Sequence, residues 1–290
     1  MTKVSGPVTG WDVDRAATVL LKAEADRKDR DPITDQWPEL DLATAYAVQD
    51  ETLRRRLLRG ERLVGLKLGL TSRVKQQQMN ISVPLTAWLT DAMVLGNGEP
   101  LPRGELIHPR AEPEIVLLMG ERLAGPGITA AAALAAVSMV YAGIEVIDSR
   151  YRDFRFTLPD VVADNGSSGF FLLGTVGLPP YRLDLALEAC LVEVDGQVSD
   201  SAAGAAVLGH PAEALALAAN ELARRGLAIE PGWLVLTGGM TDAVPAPLGA
   251  QIAAHFTHLG SVFLPRSLDA ARRSNPAAGP CTRADQGADP

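Results

Sequence analysis

Two glutamates lie two residues apart in the segment His108–Leu118, and a third lies within an apolar run further along the chain. Glu112 and Glu114 share one face if this segment is a strand, because side chains alternate along a strand. Glu145 has apolar neighbours on both sides. Because burying an unpaired carboxylate is costly, such groups either raise their pKa values or surround a cation. Oxygen ligands of this kind favour Mg²⁺ or Mn²⁺.

A simpler interpretation of the glutamate pair stays open at this point. Glu112 and Glu114 could face solvent on an edge strand, and Pro113 favours that position because proline cannot donate to a ladder. The apolar surroundings of Glu145 oppose this interpretation. Spacing alone therefore leaves a metal site and a solvated edge strand as alternatives.

Lys67 lies on a strand predicted over residues 62–70, and its neighbours on the same face are Gly65 and Gly69. Missing side chains on both sides leave room for a ligand to approach the strand. A lysine beside a metal ion could donate a proton or bind a substrate carboxylate. A solvated lysine on a half-buried strand is the alternative.

A charged segment follows the third glutamate, at residues 148–156. Guanidinium matches carboxylate geometry, so its arginines could bind a substrate carboxylate: Arg150, Arg152 and Arg155. Surface ion pairs with Asp148 and Asp153 are the alternative. The next polar run, Asp164–Gly169, is typical of a turn, and it could present backbone N–H groups and hydroxyls to a ligand.

Composition limits the classes of partner. The chain of 290 residues has a formal net charge of −8 and a pI of about 5.1, which predicts neither nucleic acid nor a membrane as a partner. The two cysteines, Cys190 and Cys281, indicate no structural disulfide, so we expect a cytoplasmic protein. The sequence contains no dinucleotide or Walker motif and no serine hydrolase elbow.

Hydrophobic periodicity predicts a few helices among many short strands. Helices are expected near residues 11–27, 42–58, 129–140 and 211–225, and a further helix is expected to carry His255 and His258. Strands are expected near residues 62–70, 107–118, 142–147, 169–174, 189–194, 233–236 and 260–263, with a turn at Asp195-Gly196. This pattern indicates an α+β protein with a curved mixed sheet. The tail at 271–290 is expected to be disordered.

Five segments occur in the same order as in one known family: residues 65–72, 108–118, 144–150, 162–165 and 207–211. The chain resembles the hydratase/decarboxylase branch of the fumarylacetoacetate hydrolase superfamily over residues 11–264. The resemblance implies a small helical N-terminal region at 1–60 and a mixed β-roll catalytic domain at 61–270. It implies that Glu112, Glu114 and Glu145 bind Mg²⁺ or Mn²⁺ and that Lys67 is catalytic. We expect the substrate-binding residues to be Leu85, Arg150, Asp164 and Ser167.

Position 85 favours one activity within this branch. The hydratases carry an aspartate there that is implicated in adding water, whereas this chain has Leu85. The resemblance therefore implies metal-dependent decarboxylation of 2-oxo-3-hexenedioate to 2-oxopent-4-enoate or its dienol, in meta-cleavage catabolism of aromatic compounds. It also implies a homo-oligomer and a complex with the pathway hydratase.

Three alternative functions stay open. The nearest is a 2-oxopent-4-enoate hydratase with the same metal. A second is a metal-free enzyme in which Lys67 forms a Schiff base with the 2-oxo group. The third is a non-catalytic partner subunit of the hydratase, and the retained trio of glutamates argues against it.

Overall fold

The computed structural model describes residues 10–78, 83–247 and 249–266. Within these ranges there are six α-helices and eleven strands. Helices α1 to α6 span Val13–Asp26, Leu42–Leu58, Arg73–Gln78, Ala130–Ala135, Leu158–Ala163 and Pro211–Arg224. Strands β1 to β11 span Leu63–Gly69, Leu85–Thr90, Arg110–Met119, Val137–Ile147, Ser168–Leu178, Ala189–Val194, Gln197–Ala203, Leu234–Leu236, Val244–Pro245, Ile252–Phe256 and Gly260–Leu264. The tail predicted to be disordered, at 271–290, lies outside the described residues.

The strands form a seven-stranded and a four-stranded sheet. The larger sheet has the order β2-β1-β8-β3-β4-β5, with β9 also paired to β3. Its β1–β8 pair is parallel and its other pairs are antiparallel, so the sheet is mixed. The smaller sheet has the order β11-β10-β6-β7. The predicted α+β class with a mixed β-roll is confirmed.

The main apolar core joins the two sheets and α6. Strand residues such as Leu66, Ile115 and Val262 share one cluster with Leu215 of α6. Helix α6 begins with proline at its first position, and His210 Nδ1 accepts the Ala212 N–H at 3.0 Å, so two features fix its N-terminus. This core holds β3 and β4 in a fixed register behind the face that carries the glutamates.

The N-terminal helices belong to a second cluster. Asp12 caps α1 and Asp41 caps α2 through their carboxylates. Gln49 of α2 donates to the carbonyls of Thr86 in β2 and Val162 in α5, both at 3.0 Å. The helices and these β-roll residues therefore share one buried interior. The division between residues 60 and 61 stays a prediction.

Three secondary-structure predictions were wrong. The alanine-rich helix ends at Ala135, and β4 begins at Val137, because β-branched and aromatic residues from there pair with β3. His255 lies in β10, and His258 lies in the turn that follows, rather than on a helix. The charged sequence of residues 148–165 predicts irregular structure, but this segment contains helix α5, which begins with a capping box. No helix in the described ranges is long and apolar enough to cross a lipid bilayer.

Candidate active site

Strands β3 and β4 bring the three glutamates together on one face. Glu112 lies directly opposite Glu145 in the antiparallel register, and Glu114 lies opposite Gly143. One carboxylate oxygen from each glutamate lies within 4.8 Å of the others. Glu114 and Glu145 are buried, with 0% and 1% of their surface exposed, and Glu112 is partly buried. The edge-strand alternative is wrong, because β3 lies between β8 and β4.

Proline is tolerated at position 113 of this central strand because β3 has no strand partner there on the side away from β4. Strand β8 pairs with β3 at residues 116–118, and β9 pairs with it at 110–111. Between them, the Pro113 carbonyl accepts the N–H of Met240 at 3.0 Å. In an antiparallel strand the N and O of one residue point to the same side. The nitrogen of Pro113 therefore faces the loop that contains Met240, and no hydrogen bond to β4 is lost.

The loop after β8 supplies a backbone donor to the site. The Gly238 N–H donates to Glu114 Oε2 at 2.7 Å. Gly238 has φ of +101°, and a Cβ there would lie 2.0 Å from Thr71 Oγ1. A Cβ on Gly239 would lie 2.9 Å from the carboxylate carbon of Glu112. Position 238 therefore requires glycine, and a side chain at position 239 would displace the Glu112 carboxylate; the sequence signals these roles only as a Gly-Gly pair at a strand end.

Burial and mutual repulsion disfavour the charged forms of the inner carboxylates. The pKa of Glu114 is raised well above its usual value by burial and then by the charges of Glu145 and Glu112. Burial also raises the pKa of Glu145, although Lys67 opposes this, with its Nζ 3.1 Å from Glu145 Oε2. The Oε1 atoms of Glu114 and Glu145 are buried and have no donor among the described residues. These hard oxygen atoms fit a divalent cation such as Mg²⁺.

A cavity of about 190 Å³ adjoins the glutamates. Three residues predicted for the site, Lys67, Leu85 and Ser167, line it together with Glu112. Gly166 makes room for the lysine, since a Cβ there would lie 2.7 Å from Lys67 Cε. Sequence reasoning missed further lining residues: Leu70, Thr71, Ser72, Phe154, Phe156 and Val161.

The cavity has polar and apolar walls. Its polar lining residues are Lys67, Thr71, Ser72, Glu112 and Ser167. The apolar wall belongs to the cluster shared with the N-terminal helices, and its members are Leu70, Leu85, Phe156 and Val161. A ligand with one chelating end and one end in apolar surroundings fits this division.

Arg150 and Asp164 lie outside this cavity. The Arg150 guanidinium forms a buried ion pair with Asp164, and its Nη1 donates to the Ser168 carbonyl at 2.9 Å. Burial raises the pKa of Asp164 to about 6, although Arg150 opposes this. The pair supports the turn that carries Ser167, whose N–H donates to the Asp164 carbonyl at 3.0 Å.

Arg152 and Arg155 lie on the surface, as the ion-pair alternative predicts, but with other partners. Arg152 pairs with Asp29 and Asp31, and Arg155 with Asp31 and Asp35. These acids belong to the N-terminal region and not to the segment 148–156. The two arginines therefore tie this segment to the loop between α1 and α2.

A mixed β-roll with three clustered carboxylates and a buried lysine is the combination expected for the fumarylacetoacetate hydrolase superfamily. The chain is 42% identical to 4-oxalocrotonate decarboxylase of Pseudomonas sp. (strain CF600) over 84% of this chain and 92% of that protein. It is 40% identical to 2-hydroxyhexa-2,4-dienoate hydratase of Comamonas testosteroni over 75% of this chain and 83% of that protein. No model of a protein family matches the chain.

A solved structure of 4-oxalocrotonate decarboxylase from Pseudomonas putida G7, complexed with magnesium and adipate, has a similar fold. The TM-score is 0.85 and the identity 40%, over 88% of this chain and 96% of that chain. The chain therefore belongs to the family of 4-oxalocrotonate decarboxylases and related dienoate hydratases.

Proposed function

We propose that this protein is a metal-dependent carboxy-lyase that decarboxylates 2-oxo-3-hexenedioate to 2-oxopent-4-enoate or its dienol. The observation that carries the proposal is the three-glutamate site beside a cavity with an apolar wall containing Leu85. The 40–42% identity to named decarboxylases over most of the chain supports it.

Glu112, Glu114 and Glu145 would hold Mg²⁺, or Mn²⁺ in its place. The relative from Pseudomonas putida G7 was solved with magnesium and with calcium, which supports a hard divalent ion. Such an ion supplies Lewis-acid stabilisation of negative charge on the 2-oxo oxygen. The glutamates would fix the position of the ion, and the Gly238 N–H orients the Glu114 carboxylate by donating to its Oε2.

The reaction breaks the C5–C6 bond and releases C6 as carbon dioxide. The bonding electrons form the C4–C5 double bond, the C3–C4 double bond shifts to C2–C3, and charge arrives on the C2 oxygen. We assign Lys67 to the end of the substrate that carries the C1 carboxylate and the C2 oxygen. Its ammonium would bind these oxygens and could donate a proton to the C2 oxygen. Ser167 lines the same cavity, and its hydroxyl would turn from Asp164 Oδ2, 3.4 Å away, to donate a hydrogen bond to the substrate.

The apolar wall acts on the other end of the substrate. Leu85 is buried, with 3% of its surface exposed. It packs closely against two glycines, because a Cβ would lie 2.9 Å from Leu85 Cδ1 if placed on Gly69 and 3.2 Å if placed on Gly166. A carboxylate beside this wall loses hydration and gains no ion pair, which favours its departure as neutral carbon dioxide. The wall offers no group to activate water, so decarboxylation is favoured over hydration.

Three further proposals concern the oligomeric state, the protein partner and the cellular location of the enzyme. We propose a homo-oligomer and a complex with the pathway hydratase, and the family resemblance supports both. Cytoplasmic location is a proposal as well, and the buried free thiol of Cys190 is consistent with a reducing compartment.

The first prediction concerns metal removal. We expect the purified protein to consume 2-oxo-3-hexenedioate when Mg²⁺ is present, and its activity to fall by at least about a hundredfold after chelation, because several kcal/mol of Lewis-acid stabilisation are lost. Ultraviolet absorbance of the conjugated oxo acid measures the rate. Full activity after exhaustive chelation, with metal content checked by mass spectrometry, would contradict the proposal.

The second prediction concerns Leu85. We expect Leu85→Asp to raise KM for the dicarboxylate by more than about tenfold, because like charges placed together cost several kcal/mol. Leu85→Met, which conserves volume, serves as the control and keeps wild-type KM within about threefold. Product analysis of both variants shows whether hydroxylated acid forms. An unchanged KM in Leu85→Asp would contradict the proposal that the apolar wall contacts the leaving carboxylate.

A further inference from the structure

A second cavity, of about 590 Å³, lies next to the catalytic one. Its walls are mainly apolar and include Leu101, Leu106 and Pro245, and Arg110 supplies a cation. Phe154 lines both cavities. No step of the proposed reaction uses this space.

Arg110 lies on the glutamate face of β3. It is two residues from Glu112 and pairs with Ile147, which lines the catalytic cavity. Its guanidinium carbon lies 4.1 Å from the centre of the Phe154 ring. Among the described residues Arg110 forms no ion pair, so its charge is available to a ligand.

Two further polar groups line the second cavity. His108 Nε2 is buried and has no hydrogen-bond partner among the described residues, and its ring lies 4.9 Å from that of Phe154. Asp153 lies on the same wall, is exposed and forms no ion pair with Arg110. A ligand with a carboxylate and a short apolar chain matches the cation, the imidazole and the apolar walls.

Phe154 is held in an uncommon conformation. Asp153 and Phe154 both have φ of +56°, and two successive non-glycine residues in the left-handed region are rare. Strain of this kind persists only where surrounding contacts hold it. The Arg110 guanidinium and the His108 ring contact the side chain, and the Phe154 N–H donates to the Tyr151 carbonyl at 3.2 Å. A ligand that engages Arg110 and His108 would free the Phe154 ring to move.

We propose that this second cavity is an access chamber in which Arg110 binds a carboxylate of the dianionic substrate before Phe154 moves and admits it to the metal site. The inference rests on the proposed function, because it requires a dianionic substrate. A protein of net charge −8 repels such a substrate, so a local cation on the access route increases the association rate.

The separation of Arg110 from the catalytic cavity has a chemical reason. An arginine paired to the leaving carboxylate would stabilise the ground state and oppose loss of carbon dioxide. Arg110 contacts the Phe154 ring and does not line the catalytic cavity. The guanidinium would therefore act on the incoming substrate, and the reacting carboxylate would lie among apolar side chains.

Steady-state kinetics at low and at increasing salt concentration tests whether Arg110 binds the incoming substrate. We expect Arg110→Gln to lower kcat/KM for the enedioate by about tenfold at low salt, with kcat unchanged and with a weaker dependence on ionic strength. Arg110→Lys should restore most of the rate. Asp153→Asn should raise kcat/KM, since it removes a like charge, and asparagine tolerates positive φ. Arg152→Gln, on the same segment but paired with Asp29 and Asp31, is the matched control and should leave kcat/KM unchanged.

Two results would overturn the proposal. One is a wild-type kcat/KM and salt dependence in folded Arg110→Gln, with folding checked by circular dichroism. The other is a kcat that falls while KM is unchanged, because this would place Arg110 in the chemical step.

A binding measurement separates this proposal from the proposed function. The probe is adipate, a six-carbon dicarboxylate that cannot react, added to magnesium-loaded protein. Its association rate constant, obtained from broadening of its proton resonances, should be about tenfold lower in Arg110→Gln. Wild-type protein that binds adipate in this way without consuming the enedioate would refute the function and support the chamber. Equal association rates in both proteins would refute the chamber alone.

Discussion

Glu114→Gln should abolish magnesium-dependent turnover, with a loss of at least about a thousandfold in kcat/KM, because a buried ligand charge is removed at the centre of the site. Glutamine conserves the shape of the side chain, and its oxygen can still accept the Gly238 N–H at the position of Glu114 Oε2. The fold should therefore persist. Turnover at saturating Mg²⁺ and the metal content of the purified variant are the measurements.

Stability distinguishes a lost metal site from a damaged fold in this variant. Without metal, Glu114 is buried beside Glu112 and Glu145, and burial and their charges raise its pKa. Replacing this disfavoured buried acid should leave the melting temperature of metal-free Glu114→Gln at or above that of metal-free wild type. Mg²⁺ at about 100 times its Kd should add about 2.7 kcal/mol to the stability of wild type and nothing to the variant. Glu39→Gln, an exposed glutamate, is the control and should behave as wild type. Magnesium that stabilises Glu114→Gln as much as wild type would refute the assignment.

Lys67→Met should lower kcat by roughly a hundredfold to ten-thousandfold, the range expected when a general acid is removed. Methionine fills the space beside Gly166, where a Cβ would lie 2.7 Å from Lys67 Cε, but it carries no charge. Loss of the ammonium leaves Glu145 Oε2 without its partner at 3.1 Å. Magnesium binding should persist, because the three carboxylates are retained. Rapid-quench kinetics and titration calorimetry measure the two effects separately.

The exposed Lys28→Met is the matched control for this substitution and should leave kcat unchanged. The Schiff-base alternative makes an opposite prediction for the wild-type protein. Borohydride added during turnover would then attach the substrate covalently to Lys67, which peptide mass spectrometry detects. We expect no such adduct, and a stoichiometric one would contradict the metal-centred mechanism.

The glutamate site shows what alternation along a strand can and cannot predict. That Glu112 and Glu114 share a face follows from the period of a strand and is confirmed. That Glu145 lies opposite Glu112 depends on the register between β3 and β4, which the core sets through many distant contacts. The resemblance to a known family supplied this grouping, and spacing alone left it open.

For the arginines of residues 148–156, the sequence did not indicate the partner that the structure shows. From its sequence, Arg150 is as good a candidate for binding substrate as any arginine near the third glutamate. Its partner Asp164 follows 14 residues later, and only the path of the chain through α5 brings the two together. Strand β2 escaped prediction as well, because all six of its residues are buried and the strand shows no alternation of polar and apolar residues.

Gln49 and the apolar cluster around it give the helical N-terminal region a part in catalysis. The amide of Gln49 holds β2 and α5 at the carbonyls of Thr86 and Val162, and the same cluster contains Leu85 and Val161 of the cavity wall. The surface that a departing carboxylate would meet is thus built partly on the first two helices. Removing the N-terminal helices would leave that wall without the residues packed behind it, so we expect a protein trimmed to its β-roll to lose the shape of the cavity.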